Sequence, residues 1–144
     1  MATTAASGGK YIPKPEGMGL EFHRACVSTG VLHLQQCSDC EEFRHPPRWY
    51  CPRCHSKSYE FVPVSGEGTI YSMVINHYTV DRGWADEVPY ISAVVQLKEG
   101  PRVVGHLRNV EPGGATLGQE VQVVVEPRGE DFAFLCVDLV HPTN

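Results

Sequence analysis

The sequence predicts a mainly β protein: a short N-terminal helical segment, a metal-stapled ribbon and a C-terminal five-stranded OB-fold barrel. Three observations predict it. Two C-x-x-C pairs, Cys37/Cys40 and Cys51/Cys54, are separated by ten residues. After Tyr59 the chain becomes a series of β-rich runs divided by turns that carry glycine and proline. One stretch with helical spacing, near Leu20, precedes both. The expected organisation is a flexible leader at 1–19, a helix at 20–30, a zinc ribbon at 31–60 and the barrel at 61–144.

Taken in order, Pro13, Pro15, Gly17 and Gly19 make the end of the leader extended. From Leu20 to Thr29, Leu20, His23 and Val27 share one helical face and Phe22 and Cys26 another, with Gly30 suited to the position after the last turn. Apolar residues on two sides require a cover, which is either the body of the protein or a partner. Val31 to Gln36 reads as the strand entering the first cysteine pair. Between the pairs, Pro46 and Pro47 exclude helix and favour an extended arm.

The barrel strands follow. Phe61 to Val64 opens the first, Ser65-Gly-Glu-Gly68 permits a bend or bulge, and Thr69 to Val80 continues it. Tyr90–Leu97 and Arg102–Arg108 form a hairpin across Glu99-Gly-Pro101, and Val121–Glu126 and Phe132–Val140 complete five strands. Such a set fits a small closed Greek-key barrel of the OB type, with an SH3-like barrel or open sandwich as the alternative.

The cysteine pairs carry the chemistry. Each C-x-x-C forms a tight knuckle, and two knuckles this close supply four thiolates to one tetrahedral ion. About twenty residues cannot bury enough apolar area to fold alone, so metal binding stands in for a core. Zinc is the expected ion, held by Cys37, Cys40, Cys51 and Cys54. An all-thiolate tetrahedron also suits iron, and a redox dithiol is the other alternative. His45 and His55 lie close by, but four cysteines already complete the site. With no open position, the ion holds the fold and performs no reaction.

Composition bounds the function. The formal net charge is −5, which argues against a nucleic-acid binder, and no apolar run is long enough for a membrane helix. Met1 to Gly9 has no signal-peptide pattern, so the expected location is cytoplasmic, with Cys26 and Cys136 as buried thiols. Locally the balance reverses. From Phe43 to Tyr59 there are four basic side chains and no carboxylate. That run is either a solvated face balancing the thiolates or an anion-binding surface beside Trp49 and Tyr50. No nucleophile elbow, P-loop, zinc-protease helix or dinucleotide fingerprint is present. His77, ahead of Asp81, Asp86 and Glu87, is the best isolated candidate for proton transfer, although a lone strand histidine is usually a packing or rim residue.

The order Leu32-His-Leu-Gln-Gln-Cys37-x-x-Cys40, Pro46-Pro-Arg48, Cys51-Pro-x-Cys54 resembles the zinc-ribbon/OB-fold family associated with acyl-CoA enzymes. Ser65-Gly-Glu-Gly-Thr69, Val88-Pro-Tyr90 and Leu117-Gly118 continue the likeness, which covers roughly 20–140 and leaves out the Trp84 loop. The resemblance implies a helical segment, a rubredoxin-like ribbon and an OB fold. It also implies a non-catalytic companion of thiolase-fold enzymes (thiolases, acyltransferases, steroid side-chain aldolases), whose catalytic residues lie on the larger subunit. Arg44, Arg48 and Trp49 are the expected contacts to the phosphates and adenine of acyl-CoA. A single-stranded nucleic-acid module is the alternative from the binding class.

Overall fold

The computed structural model describes residues 10–140; the first nine leader positions fall outside that range. Helix α1 spans Gly17–Thr29, three residues longer at its start than the apolar spacing indicates. Its end is as expected. Gly30 takes the left-handed conformation (φ 78°) that a side chain would oppose, and its N–H reaches Cys26 O at 2.8 Å. Phe22 and Cys26, four residues apart, form the buried stripe.

The cover that the sequence leaves open is the protein itself. On the ribbon side Tyr59 donates to Glu21 (2.9 Å) and the His33 N–H donates to Cys26 Sγ (3.3 Å). On the barrel side the Ala133 N–H donates to His23 Nδ1 (3.0 Å), and Arg24 pairs with Asp131 (2.8 Å). Helix α1 therefore spans the two β units.

The ribbon sheet has three strands in the order β2-β1-β3: β1 His33–Cys37, β2 Phe43–Arg44 and β3 Tyr59–Pro63. Here a sequence expectation is corrected. Phe61 to Pro63 does not open the barrel; it pairs with β1, Leu34 opposite Val62 and Gln35 opposite Phe61. The ribbon needs a third strand to cover the far edge of β1, and Phe61 packs its ring toward Phe22 and Tyr59, at 6.3 and 5.7 Å.

The barrel is closed in the order β4-β5-β6-β8-β7, from β4 Glu67–Asn76, β5 Tyr90–Leu97, β6 Arg102–Leu107, β7 Glu120–Pro127 and β8 Ala133–Leu139. Only β6 and β8 run parallel, with His106 opposite Cys136. Strict alternation places Ile91, Ala93, Val95 and Leu97 inside, against Val103, Val121 and Val137. At the start of β4, Gly68 pairs with Leu97 of β5 and Val121 of β7, so one residue joins both neighbours. β4 ends at Asn76, short of Val80: the Asn76 side-chain amide turns to Ser92 Oγ (3.0 Å), and His77 leaves the sheet exposed. Among the described residues no helix is long and apolar enough to cross a membrane.

Candidate metal centre

The two cysteine pairs build near-identical knuckles. In the first, Cys37 N–H donates to Glu42 O and Glu41 N–H to Cys37 O (2.9 and 3.0 Å). In the second, Cys51 N–H donates to Ser56 O and His55 N–H to Cys51 O, both at 2.9 Å. The residue after each second cysteine, Glu41 or His55, turns the chain at φ 66°. Glycine holds that conformation without the strain that a Cβ brings. His55→Gly should therefore raise the stability of the zinc-loaded chain by about 1 kcal/mol, read from denaturant unfolding; a loss would contradict the assigned strain.

The knuckles bring four sulfurs together, all within 4.8 Å of one another. The Cys37–Cys54 and Cys40–Cys51 distances are both 3.5 Å. A disulfide needs about 2.05 Å, whereas sulfurs bound to zinc at about 2.3 Å stand about 3.8 Å apart in a tetrahedron. The spacing fits the ion and not a bridge. Backbone N–H groups, above all that of Cys40, pull the Cys37 thiol down to about 6, and those of Cys54 and Arg53 lower Cys51 in the same way. Cys37 and Cys51 are buried, while Cys54 faces solvent. Neither His45 nor His55 joins the quartet.

The remaining expected residues separate. Arg44 lies inside, 2% exposed, its Nε donating to Arg48 O (3.1 Å) and both Nη atoms buried without a partner. It belongs to strand β2, and with Gln35, which bonds the N–H and carbonyl of Arg48, it fixes the arm. Arg48 and Trp49 are exposed. His77 has no residue of the quartet or the arm beside it in sequence or sheet, and the structure assigns it no hydrogen bond.

Sequence reasoning missed an aromatic group on the outer barrel face. Trp84, in a short turn of helix at Arg82–Trp84, meets Tyr90 at 4.8 Å, His106 at 5.1 Å and Phe134 at 5.7 Å between ring centroids. The available signal was alternation: Tyr90, His106 and Phe134 are the outward positions of β5, β6 and β8.

Comparison with known proteins now adds to this geometry. The ChsH2 rubredoxin-like zinc ribbon domain matches residues 27–60, and the ChsH2 C-terminal OB-fold domain matches 61–126. A DUF35 domain-containing scaffold protein of Methanothermobacter thermautotrophicus is 34% identical over 67% of this chain and 74% of its own length. The chain belongs to the ChsH2/DUF35 zinc-ribbon and OB-fold family. Within this family, a chain of the solved Ltp2-ChsH2(DUF35) aldolase superposes with a TM-score of 0.76 at 27% identity, covering 88% of this chain and 98% of that one. The probable enoyl-CoA hydratase alpha subunit of Thermomonospora curvata is 36% identical over 62% of this chain, which spans only 28% of that relative's length. The family ribbon is a structural zinc module, and the four clustered cysteines fit it.

Proposed function

We propose that this chain is the non-catalytic companion subunit of a thiolase-fold, acyl-CoA-dependent enzyme that forms or cleaves a carbon–carbon bond. The observation that carries the reading is the superposition on nearly the whole of a chain of the Ltp2-ChsH2(DUF35) aldolase. Cys37, Cys40, Cys51 and Cys54 would hold one zinc ion, which supplies rigidity to a segment too small to fold by packing alone. Four protein sulfurs close the coordination sphere, so the ribbon offers no position for a substrate oxygen. The work of the chain is to present a fixed surface to the larger subunit.

Acyl-CoA contacts belong to the same proposal. Arg48 and Trp49 are exposed side by side on the arm and suit a phosphate and an adenine face. Arg44 meets only a group that enters the small cleft beneath the arm, where its guanidinium lies with Glu99 and Pro101. A cytoplasmic location agrees with six cysteines that form no disulfide. The nucleic-acid alternative finds no support among the relatives.

The test is a pull-down of the tagged full chain from its native host, with mass spectrometric identification of what it retains. The expected result is a thiolase-fold subunit whose acyl-CoA condensation or cleavage depends on this chain. A chain that purifies alone and leaves such an enzyme unaffected, or that turns over a thioester unaided, overturns the reading.

A further inference from the structure

OB barrels bind ligands on the face of their second and third strands, flanked by the loops after the first and fourth. In this chain that face is β5 and β6 with the Trp84 turn and the Phe132 end of the β7–β8 connection, and it holds a cleft of about 570 Å3. The volume lies within the roughly 300–1,000 Å3 of small-molecule sites. The barrel supplies Trp84, Tyr90, His106 and Phe134 to its lining, and helix α1 and the arm supply Phe22, His45 and Pro46. The rings continue across the helix: Phe22 meets His45 at 5.1 Å, and His23 stacks on Phe132 at 4.7 Å.

Two atoms are at odds with an apolar cleft. His45 Nδ1 and His106 Nδ1 are both buried without a hydrogen-bond partner, although buried polar atoms are normally paired. The other nitrogen of His106 faces Glu87, 3.9 Å from its carboxylate, which leaves Nδ1 as the unused one. Burial holds these imidazoles in the neutral form. His45 is pushed down to about 4 by burial, with the nearby His23 and Arg48 adding to the effect, and His106 is lowered by burial against the opposing pull of Glu87. The cleft thus offers neutral polar atoms and no cation of its own to compensate a carboxylate.

We propose that this cleft is a binding site for an uncharged, ring-bearing apolar small molecule that carries one hydrogen-bonding group. Its ring packs among Trp84, Tyr90, Phe134 and Phe22, and its polar group meets His45 or His106. Flat walls favour a ring over a chain of equal area, because ring pairs add about 0.5–1.5 kcal/mol beyond burial. The site stands apart from the partner reading: the probe below is tested on this chain alone, so either can fail without the other.

The experiment titrates the zinc-loaded full chain with 2-naphthamide at pH 7.5, using calorimetry and the imidazole NMR signals. Octanamide serves as the acyclic comparison and 2-naphthoate as the charged one. The expected result is saturable binding of 2-naphthamide that moves the His45 and His106 signals, with both comparison compounds weaker by about tenfold. Val104 lines the cleft and is 61% exposed, so Val104→Trp fills the space from outside the core and should weaken binding by about tenfold or more. Absence of binding, equal affinity for octanamide, or full affinity in a folded Val104→Trp overturns the proposal. So does a cleft that ignores the probe and whose histidine signals move only when the partner subunit is added; that outcome makes it a protein interface.

Discussion

Cys40→Ser should be isolated without stoichiometric zinc, with its ribbon unfolded and its hold on the partner subunit lost. The expected effect is large because zinc binding contributes about 10–16 kcal/mol to structural zinc peptides, and few contacts replace it here. Strands β1, β2 and β3 bury Leu34 and Gln35 fully, but β2 is only two residues long and no apolar layer spans the knuckles. The barrel strands pair among themselves, so amide protection in β5 and β7 should survive in the variant. Elemental analysis and hydrogen exchange decide the matter together. Unchanged zinc content would remove Cys40 from the ligand set, and loss of protection throughout would show that the barrel cannot stand without the ribbon.

The converse experiment is Gly68→Ala, which should damage the barrel and spare the metal. An added Cβ would lie 2.3 Å from Gln96 O and 2.7 Å from Val95 Cγ1. The first is a backbone atom in a paired strand and cannot swing aside. Because Gly68 joins β4 to both β5 and β7, relief requires opening one of two ladders. A cost of about 3 kcal/mol and a fall in Tm of about 10 °C are expected, with zinc still bound. Gly19→Ala, inside α1 with only Pro15 Cβ at 3.9 Å, is the control and should be neutral or mildly stabilising. A Gly68→Ala chain that melts within about 2 °C of wild type would show that the strand shifts at little cost.

These two positions also mark what was legible in the sequence. Cysteine spacing announced the metal centre because ligand geometry is local, and each knuckle needs only four consecutive residues to form. Turn residues and alternation placed the barrel strands within a residue or two, since Gly68 and the Glu99-Gly-Pro101 turn act through their own backbones. Partnership was harder to read. Nothing within Phe61–Pro63 distinguishes a strand of the barrel from the third strand of the ribbon, because that choice is made by the vacant edge of β1. Arg44 carries the same lesson: its charge suggested a surface, and only its pairing opposite Gln35 turns it inward. The aromatic cleft was invisible for the same reason, since Phe22, Trp84 and Phe134 are far apart along the chain and meet only once it is folded.

Helix α1 touches both β units, and this ties two distant events into one equilibrium. Phe22 and His45, which close one side of the cleft, are positioned by the segment that leads into and out of the sulfur quartet. Loss of the ion should loosen that wall and lower affinity for whatever the cleft holds. By reciprocity, an occupant should slow the release of zinc to a chelator by the same free energy. A small adaptor of this design can report through its grip on the metal whether its cleft is filled.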